Sequence, residues 1–284
     1  MQQHEPTMHE RPIGVFDSGL GGLTVLQALG DLLPDEHFIY LGDTARYPYG
    51  DKSPQQLRTF ARQIADVLLE QGAKLLVVAC NSATAAALED LREQVALPVI
   101  GVVDPGLRAA ASASRTHRTV VIATRVTAAS QVYERAAAAL GLDLGLRTVA
   151  CPEFVHLVEQ GVTEGPEAER VVAERLAPLL TARVDTLVLG CTHFPLLART
   201  LSKVVGRGVT LVSSADETAF EIRDLLERTG WLWHGKTRGR RTFVTTGDAE
   251  RFRELGARFL GEPLDDVRHL PLERLAGARR EDHG

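Results

Sequence analysis

The chain has 284 residues, of which 44% are hydrophobic and 24% are charged, which is ordinary for a globular protein with one large or two modest domains. The net charge of −5 argues against nucleic acid as a partner and gives no reason to expect an acidic membrane surface. The sequence has no apolar run near the roughly 20 residues that a membrane-spanning helix needs and no evident signal peptide, so we expect a cytoplasmic protein.

Short apolar runs alternate with amphipathic segments along the whole chain. Strands are predicted at residues 13–16, 37–41, 75–79, 99–102, 119–123, 146–149, 186–189, 209–212 and 242–245. Helices are predicted at residues 23–33, 55–71, 83–95, 129–140, 167–180 and 217–228. This alternation implies βαβ units and mainly parallel sheets. Ligands bind beyond the carboxyl ends of the strands in such sheets.

Two turn-like segments, "VVDPG" and "SSADE", bracket a stretch with its own strands and helices. The predicted division is an outer α/β domain of residues 11–103 and 213–284 and an inserted α/β domain of residues 104–212. Cys80 falls in the outer domain and Cys191 in the inserted one. We therefore expect the two thiols to face a shared cleft.

The first polar motif is the turn "DSGLGG", residues 17–22, between a predicted strand and a predicted helix. Such a turn exposes backbone N–H groups at a helix N-terminus, which suits an anion. It departs from the dinucleotide fingerprint, because Thr24 occupies the place of the third glycine. A tight βα turn would explain the glycines alone. The added Asp17 and Ser18 favour a functional role, since a carboxylate here is expected to point into the cleft.

Three other segments leave their roles open on residue type alone. The Tyr49–Gly50 turn offers backbone amides, but it is equally typical of a structural loop. Thr127 follows a predicted strand and would serve as a helix N-cap. Glu153, His156 and Glu159 lie on one short stretch, where most charged groups are simply solvated.

Two of the three cysteines end closely similar segments. Aligned on these cysteines, "LVVAC" at residues 76–80 matches "LVLGC" at residues 187–191. A buried cysteine is often only a small hydrophobe, but hydrogen-bonding residues follow both sites, Asn81-Ser82 and Thr192-His193. An odd number of cysteines without a C-x-x-C pair fits free thiols. We expect no metal, since zinc sites usually place two ligands close together.

Six motifs, taken in chain order, carry a family resemblance: "GVFDSGLGGLTVL", "YPYG", "VVACNSATA", "CPEFVHLVEQG", "LVLGCTHFPLL" and "FVTTGDAERFRELGARFLG". They resemble the cofactor-independent glutamate racemases of bacteria, over a stretch from Ile13 to Leu270. The resemblance implies two similar three-layer α/β domains with mainly parallel sheets, related by a pseudo-twofold axis, with the active site between them. It also implies a supply of D-glutamate for peptidoglycan.

The resemblance assigns catalysis to two thiols on opposite faces of the substrate. Cys191 is expected to deprotonate L-glutamate and Cys80 to deprotonate D-glutamate. Asp17 is expected to assist Cys80 and His193 to assist Cys191, with Glu159 holding His193. Only about 3% of a free cysteine is ionised at neutral pH. We expect a helix N-terminus behind each cysteine to raise that fraction.

The resemblance also implies the substrate contacts. These are Asn81, Ser82 and Thr192, with Thr127 close by, for the α-carboxylate; Asp17 and Ser18 for the ammonium; the amides of Tyr49 and Gly50 for the side-chain carboxylate; and His193 beside them. No lysine stands in a recognisable Schiff-base context. We therefore expect no cofactor, and we expect fixed dipoles and hydrogen bonds to stabilise the carbanion character. The resemblance also leads us to expect a homodimer.

Four positions depart from the family pattern. Ser82 replaces a usual threonine but keeps the hydroxyl, and Ala123 stands where a glycine is common. The family commonly has an apolar residue at Glu153 and a proline at His156, so no chemistry is assigned to Glu153. Two alternative functions remain: an aspartate or other amino-acid racemase of the same fold, and a non-catalytic module that binds a small dicarboxylate.

Overall fold

The computed structural model describes residues 7–180, 183–235 and 237–277. The strands in these ranges are β1 (Ile13–Asp17), β2 (Phe38–Gly42), β3 (Leu75–Val78), β4 (Val99–Gly101), β5 (Thr119–Ala123), β6 (Arg147–Ala150), β7 (Thr186–Gly190), β8 (Thr210–Val212), β9 (Arg241–Thr245) and β10 (Val267–His269). The helices are α1 (Leu23–Leu32), α2 (Pro54–Glu70), α3 (Asn81–Gln94), α4 (Val103–Ala113), α5 (Arg125–Ser130), α6 (Val132–Ala139), α7 (Pro152–Glu159), α8 (Pro166–Leu180), α9 (Ala198–Val205), α10 (Ala215–Thr229), α11 (Ala249–Leu260) and α12 (Leu272–Gly277).

The strands form two sheets. A six-stranded sheet has the order β10-β9-β2-β1-β3-β4, and a four-stranded sheet has the order β6-β5-β7-β8. Neighbouring strands are parallel in both sheets. The predicted α/β class with mainly parallel sheets is therefore confirmed.

Helices cover both faces of each sheet. Helices α1, α10 and α11 pack on one face of the six-stranded sheet, and α2 and α3 pack on the other. Helices α7, α8 and α9 cover one face of the four-stranded sheet, opposite α4 and α6. Strands β1, β3, β5 and β7 are buried along their whole length. Burial on both faces explains why these strands are nearly continuous apolar runs in the sequence.

The strands before residue 102 and after residue 240 form the larger sheet, and those between form the smaller one. The division of the chain at residues 104 and 213 remains a prediction. Residues 278–284 of the predicted outer domain lie outside the described residues. None of the helices in the described ranges combines the length and apolar character that a membrane crossing requires.

The structure adds helices α7, α9, α11 and α12, which were not predicted, and it corrects two further details of the predicted elements. The supposed turn at residues 102–106 is the start of α4, where Pro105 lies in the first helical turn. Proline is tolerated there, because the N–H that it lacks has no partner within the helix. The predicted helix at residues 129–140 is divided at Gln131, whose φ of 53° is left-handed and ends α5.

A buried ion pair joins the amino ends of β2 and β3, away from the carboxyl ends that hold the candidate site. The Nζ atom of Lys74 lies 2.6 Å from a carboxylate oxygen of Glu36, and both side chains are almost fully buried. Lys74 also donates to the carbonyls of His9 and Trp231, and Glu36 accepts from the backbone N–H of Trp233. Burial raises the pKa of Glu36 and lowers that of Lys74, and the attraction between the two opposes both shifts.

We expect Lys74→Met to lower the free energy of unfolding by about 3–5 kcal/mol, because it leaves the Glu36 carboxylate buried without its cation. Urea denaturation followed by circular dichroism measures the loss. The much more exposed pair of Lys203 and Glu169, with an N–O distance of 2.6 Å, provides the control. Lys203→Met should cost less than about 1 kcal/mol. Equal losses in the two variants would contradict this account of the buried pair.

Candidate active site

One pocket lies where the carboxyl ends of the two sheets face each other. The predicted residues that line it are Ser18, Tyr49, Gly50, Cys80, Asn81, Ser82, Cys191, Thr192 and His193. The predicted residues Asp17, Thr127 and Glu159 are not in its lining. Both repeated cysteine segments therefore bring their thiols to the same pocket.

Cys80 lies between the end of β3 and the first turn of α3, as its N-cap residue. Its thiol lies 3.8 Å from the Ser18 hydroxyl. Burial raises the pKa of the Cys80 thiol to about 12, and the charge of Asp17 adds to the rise. The backbone N–H of Ala83 and the Ser18 groups oppose it. The expected helix N-terminus is present here, but it does not outweigh burial.

Cys191 follows β7 directly, and its sulfur lies 3.8 Å from Nδ1 of His193. The chain continues into a short 3₁₀ turn, Phe194–Leu197, before α9 begins. The α-helix N-terminus expected behind this cysteine is therefore replaced by a 3₁₀ turn and the backbone N–H of His193. Burial raises the pKa of the Cys191 thiol, which that N–H lowers, and charge on Cys80 raises it further. Because like charges disfavour one another, a pocket with one thiolate and one thiol is favoured over one with two thiolates.

Asp17 is fully buried at the end of β1, behind the residues that line the pocket. One carboxylate oxygen accepts from the N–H of Gly19 at 2.9 Å, and the other accepts from the Thr192 hydroxyl at 3.3 Å. Asp17 thus links the larger sheet to the residue after the second cysteine. The sequence predicted that this carboxylate points into the cleft, whereas here it lies behind the lining and raises the pKa of both pocket thiols.

His193 is buried, and burial lowers its pKa, while the charges of Asp17 and Glu159 oppose that change. Glu159 lies exposed at the end of α7. Within the described residues, no hydrogen bond joins Glu159 to His193, so the expected holding contact is replaced by an electrostatic one. The ring of Tyr47 lies against His193, with 5.8 Å between the ring centroids. Burial and nearby Glu159 raise the pKa of Tyr47, although its hydroxyl is not within hydrogen-bond geometry of that carboxylate.

A cluster of hydroxyl groups forms another part of the wall. Ser82 Oγ lies 2.9 Å from Thr124 Oγ1 and 3.4 Å from Thr127 Oγ1. Thr124 is the N-cap of α5, since its side chain accepts from the N–H of Thr127. The cap and the pocket-lining position therefore belong to Thr124, and Thr127 lies one layer behind. Nearby, Tyr133 donates a 2.6 Å hydrogen bond to Asn81 Oδ1, which leaves the Asn81 NH₂ group as a donor.

Tyr49 and Gly50, which form one turn, both line the pocket. The Tyr49 side chain is buried and donates its hydroxyl to Asp43, which also accepts from the Thr246 hydroxyl at 2.8 Å. This anchoring fixes the turn. A Cβ atom at Gly50 would lie 3.1 Å from Thr124 Cβ, so glycine allows the turn to approach the smaller sheet.

The glycine-rich turn after Asp17 makes a second close approach. A Cβ atom at Gly21 would lie 2.3 Å from Thr192 Oγ1 and 2.8 Å from His193 Nδ1. Even alanine at this position would force the side chains of Thr192 and His193 to move. Gly21 was predicted to favour an anion, and the structure adds a steric reason for it. Without a side chain at this position, the turn after β1 can approach Thr192 and His193 closely.

Further residues line the pocket that the sequence did not assign to it. They are Tyr47, Pro48, Asp51, Thr124, Arg125, Pro152, Val155 and His156. The last three lie at i, i+3 and i+4 on one face of α7. Their sequence spacing therefore predicts a shared face once the segment is known to be a helix. Glu153 instead pairs with Arg175 at 3.0 Å and does not line the pocket. Within the described ranges, no group of three or more His, Cys, Asp or Glu side chains is placed to hold a metal ion.

Comparison with known proteins gives one family. The sequence model of the Asp/Glu/hydantoin racemases matches residues 14–221. A glutamate racemase of Bacillus cereus is 43% identical over 264 residues, which are 93% of this chain and 98% of the relative. A glutamate racemase of Beutenbergia cavernae is 48% identical over 272 residues, 92% of this chain and 93% of the relative.

Solved structures give the same result. Glutamate racemase from Thermus thermophilus, in complex with β-chloro-D-alanine, superposes with a TM-score of 0.85 and 45% identity, covering 94% of this chain and 99% of the other. Glutamate racemase from Francisella tularensis, in complex with D-glutamate, gives a TM-score of 0.86 and 33% identity over 93% and 99% of the two chains. An aspartate racemase from Picrophilus torridus shares the fold alone, with a TM-score of 0.52 and 15% identity over 78% and 94%.

Proposed function

The chain belongs to the Asp/Glu/hydantoin racemase family, and we propose that it is an isomerase that interconverts L-glutamate and D-glutamate. The observation that carries the proposal is the pair of buried thiols, Cys80 and Cys191, which line one pocket at the carboxyl ends of two sheets. The substrate is inferred from the glutamate racemases that match more than 90% of this chain. The aspartate alternative rests on a likeness of fold only.

The proposed reaction moves one proton off Cα and another onto its opposite face. In the L-to-D direction, the Cys191 thiolate removes the proton and the Cys80 thiol donates one. The roles reverse in the D-to-L direction. The electrostatic coupling between the two sulfurs disfavours two thiolates, so that once one thiol ionises the other stays protonated, which is the state that this exchange requires at every turnover.

Thiolate formation is the step that burial makes difficult. Asp17 adds its negative charge to burial in raising the pKa of both thiols. We propose that the substrate ammonium binds at Ser18, which lines the pocket, and offsets the charge of the buried Asp17 carboxylate behind the lining. An opposite charge nearby favours the ionised form of a thiol, so substrate binding itself lowers the pKa of the thiol that acts as base. His193 then supports Cys191, with Glu159 acting on His193 through its charge.

The two carboxylates of the substrate are assigned to opposite parts of the pocket. The α-carboxylate is proposed to contact the Asn81 amide and the hydroxyls of Ser82 and Thr192, with Thr127 supporting Ser82. These donors stabilise the negative charge that develops when Cα loses its proton, and fixed donors in a buried site are effective in that role. The side-chain carboxylate is proposed to accept from the Tyr49 and Gly50 amides.

The biological assignment follows from the same family. We propose that the chain supplies D-glutamate for peptidoglycan, acts in the cytoplasm as a homodimer, and needs no cofactor or metal. Sedimentation of the purified protein tests the homodimer. A strong chelator and a carbonyl reagent, added in the presence of a reductant, test the cofactor proposal through their effect on racemisation.

The direct test of the function is circular dichroism of purified protein incubated with L-glutamate, D-glutamate or L-aspartate, without added cofactor. We expect both glutamate enantiomers to approach a racemic mixture, and L-aspartate to react far more slowly because its shorter side chain leaves the Tyr49–Gly50 amides unpaired. Equal or faster turnover of aspartate would move the function to an aspartate racemase. Glutamate binding without solvent deuterium at Cα would indicate a binding module.

A further inference from the structure

An ion pair lies in the lining of the pocket. Nη1 of Arg125 lies 3.1 Å from Oδ1 of Asp51, and both residues line the pocket. Asp51 ends the 3₁₀ turn that follows β2 of the larger sheet. Arg125 is the first residue of α5, directly after β5 of the smaller sheet. The pair therefore connects an element of the larger sheet's half of the molecule to an element of the smaller sheet's half at the pocket.

The ion pair continues a contact made by the preceding residues. Gly50 packs against Thr124, and Asp51 pairs with Arg125, so two consecutive residues of the turn meet two consecutive residues at the start of α5. Thr124 is held in turn by the Ser82 hydroxyl at 2.9 Å. Movement of the turn away from the smaller sheet would separate both contacts together.

Arg125 differs in charge from the other residues that line the pocket. Among the described residues that line the pocket, Arg125 carries the one guanidinium or ammonium group, and the other groups able to hold positive charge are His156 and His193. The side chains of Arg125 and Asp51 are both more than half exposed. An exposed pair of this kind contributes little to the stability of the whole protein. Its effect is therefore expected to be local, on the turn that contains Asp51.

We propose that Asp51 and Arg125 are positioning residues for the side-chain carboxylate of the substrate. The ion pair holds the Tyr49–Gly50 turn against Thr124, so that its amides are aligned when the dicarboxylate arrives. This inference rests on the proposed function, since that function assigns the amides to the side-chain carboxylate. Neither residue touches the reacting atoms, so the pair should act on substrate affinity and leave the proton transfers unchanged.

Steady-state kinetics of Arg125→Gln, Asp51→Asn, the double variant and Arg125→Lys test the proposal. We expect each neutralised single variant to raise KM for glutamate about two- to fivefold, the size typical of an exposed ion pair, with kcat within about twofold of the parent protein. The double variant should be no worse than the weaker-binding single variant, because both remove the same interaction. Arg125→Lys should restore most of the affinity.

Arg170→Gln is the matched control. Arg170 pairs with Glu174 at 3.0 Å within α8, is similarly exposed, and does not line the pocket. This variant should leave KM unchanged. An unchanged KM in Arg125→Gln, additive effects in the double variant, or an equal change in Arg170→Gln would overturn the proposal.

A second measurement does not depend on turnover. Hydrogen–deuterium exchange of the protein without substrate should be faster at residues 49–51 and 124–127 in Arg125→Gln than in the parent protein, and unchanged there in Arg170→Gln. If the parent protein fails to racemise glutamate, the proposed function fails, and this exchange experiment still decides whether the pair holds the turn. Unchanged exchange at residues 49–51 would overturn the positioning role even in an active racemase.

Discussion

Replacing either Cys80 or Cys191 with serine is expected to lower the racemisation of glutamate by about 10³- to 10⁴-fold, near the upper end of what a positioned acid or base contributes. A proton must leave one face of Cα and another must arrive on the opposite face, so a single thiol cannot complete the cycle. Serine preserves the size of the side chain, but its hydroxyl ionises far less readily than a thiol. Circular dichroism of glutamate solutions incubated with each variant measures the loss.

Cys151 provides the matched control, because it is also buried and also precedes a helix. It is the N-cap residue of α7, its sulfur faces the Val149 carbonyl at 3.8 Å, and it does not line the pocket. Cys151→Ser should racemise glutamate within about twofold of the parent protein. A loss in Cys151→Ser comparable to that in Cys80→Ser would indicate that the variants fail through misfolding and not through lost proton transfer.

Asp17→Asn is expected to have two effects of opposite sign. The Asp17 carboxylate raises the pKa of the Cys80 thiol, which stands at about 12, so its removal should lower that pKa and allow the thiolate to form at lower pH. The same removal takes away the proposed partner of the substrate ammonium. We expect kcat/KM for glutamate to fall by about 10²- to 10³-fold, within the range for one well-placed catalytic group, despite the more acidic thiol.

Ultraviolet absorbance of the thiolate measures the first effect. The titration should be made in a Cys151→Ser, Cys191→Ser background, where Cys80 is the remaining thiol. The Cys80 thiolate should form at lower pH when this background also carries Asp17→Asn than when it keeps Asp17. An unchanged or raised pKa would contradict the electrostatic role of Asp17. A pKa that falls while kcat/KM is retained would contradict its role in holding the ammonium.

The sequence located the strands of the two sheets well because most of them are covered on both faces and are continuous apolar runs. The strand that it missed, β10, lies at the edge of its sheet and exposes Arg268 and His269, so it lacks that apolar signal. The helix α4 was hidden by Pro105, which is a turn signal anywhere except in the first turn of a helix.

The repeated cysteine segments correctly placed two thiols at one pocket, since each follows the carboxyl end of a strand and the carboxyl ends of the two sheets face each other. The N-cap interpretation of Thr127 was wrong, because α5 begins earlier and Thr124 is its N-cap; the role of Thr127 near the substrate stays a prediction. Arg125 and His156 were not assigned to the pocket from the sequence. Their position in the pocket depends on how α5 and α7 dock against their neighbours, which no local sequence pattern records.

The two-thiol arrangement is tested most directly by a half-reaction that needs only deprotonation. A glutamate analogue with chlorine at Cβ loses its Cα proton to one thiolate and then expels chloride, so no second thiol is required. Chloride release by Cys191→Ser should persist with the D-configured analogue, through Cys80, and release by Cys80→Ser should persist with the L-configured one, through Cys191. Elimination from the same enantiomer by both variants would contradict the account, even in a protein that racemises glutamate.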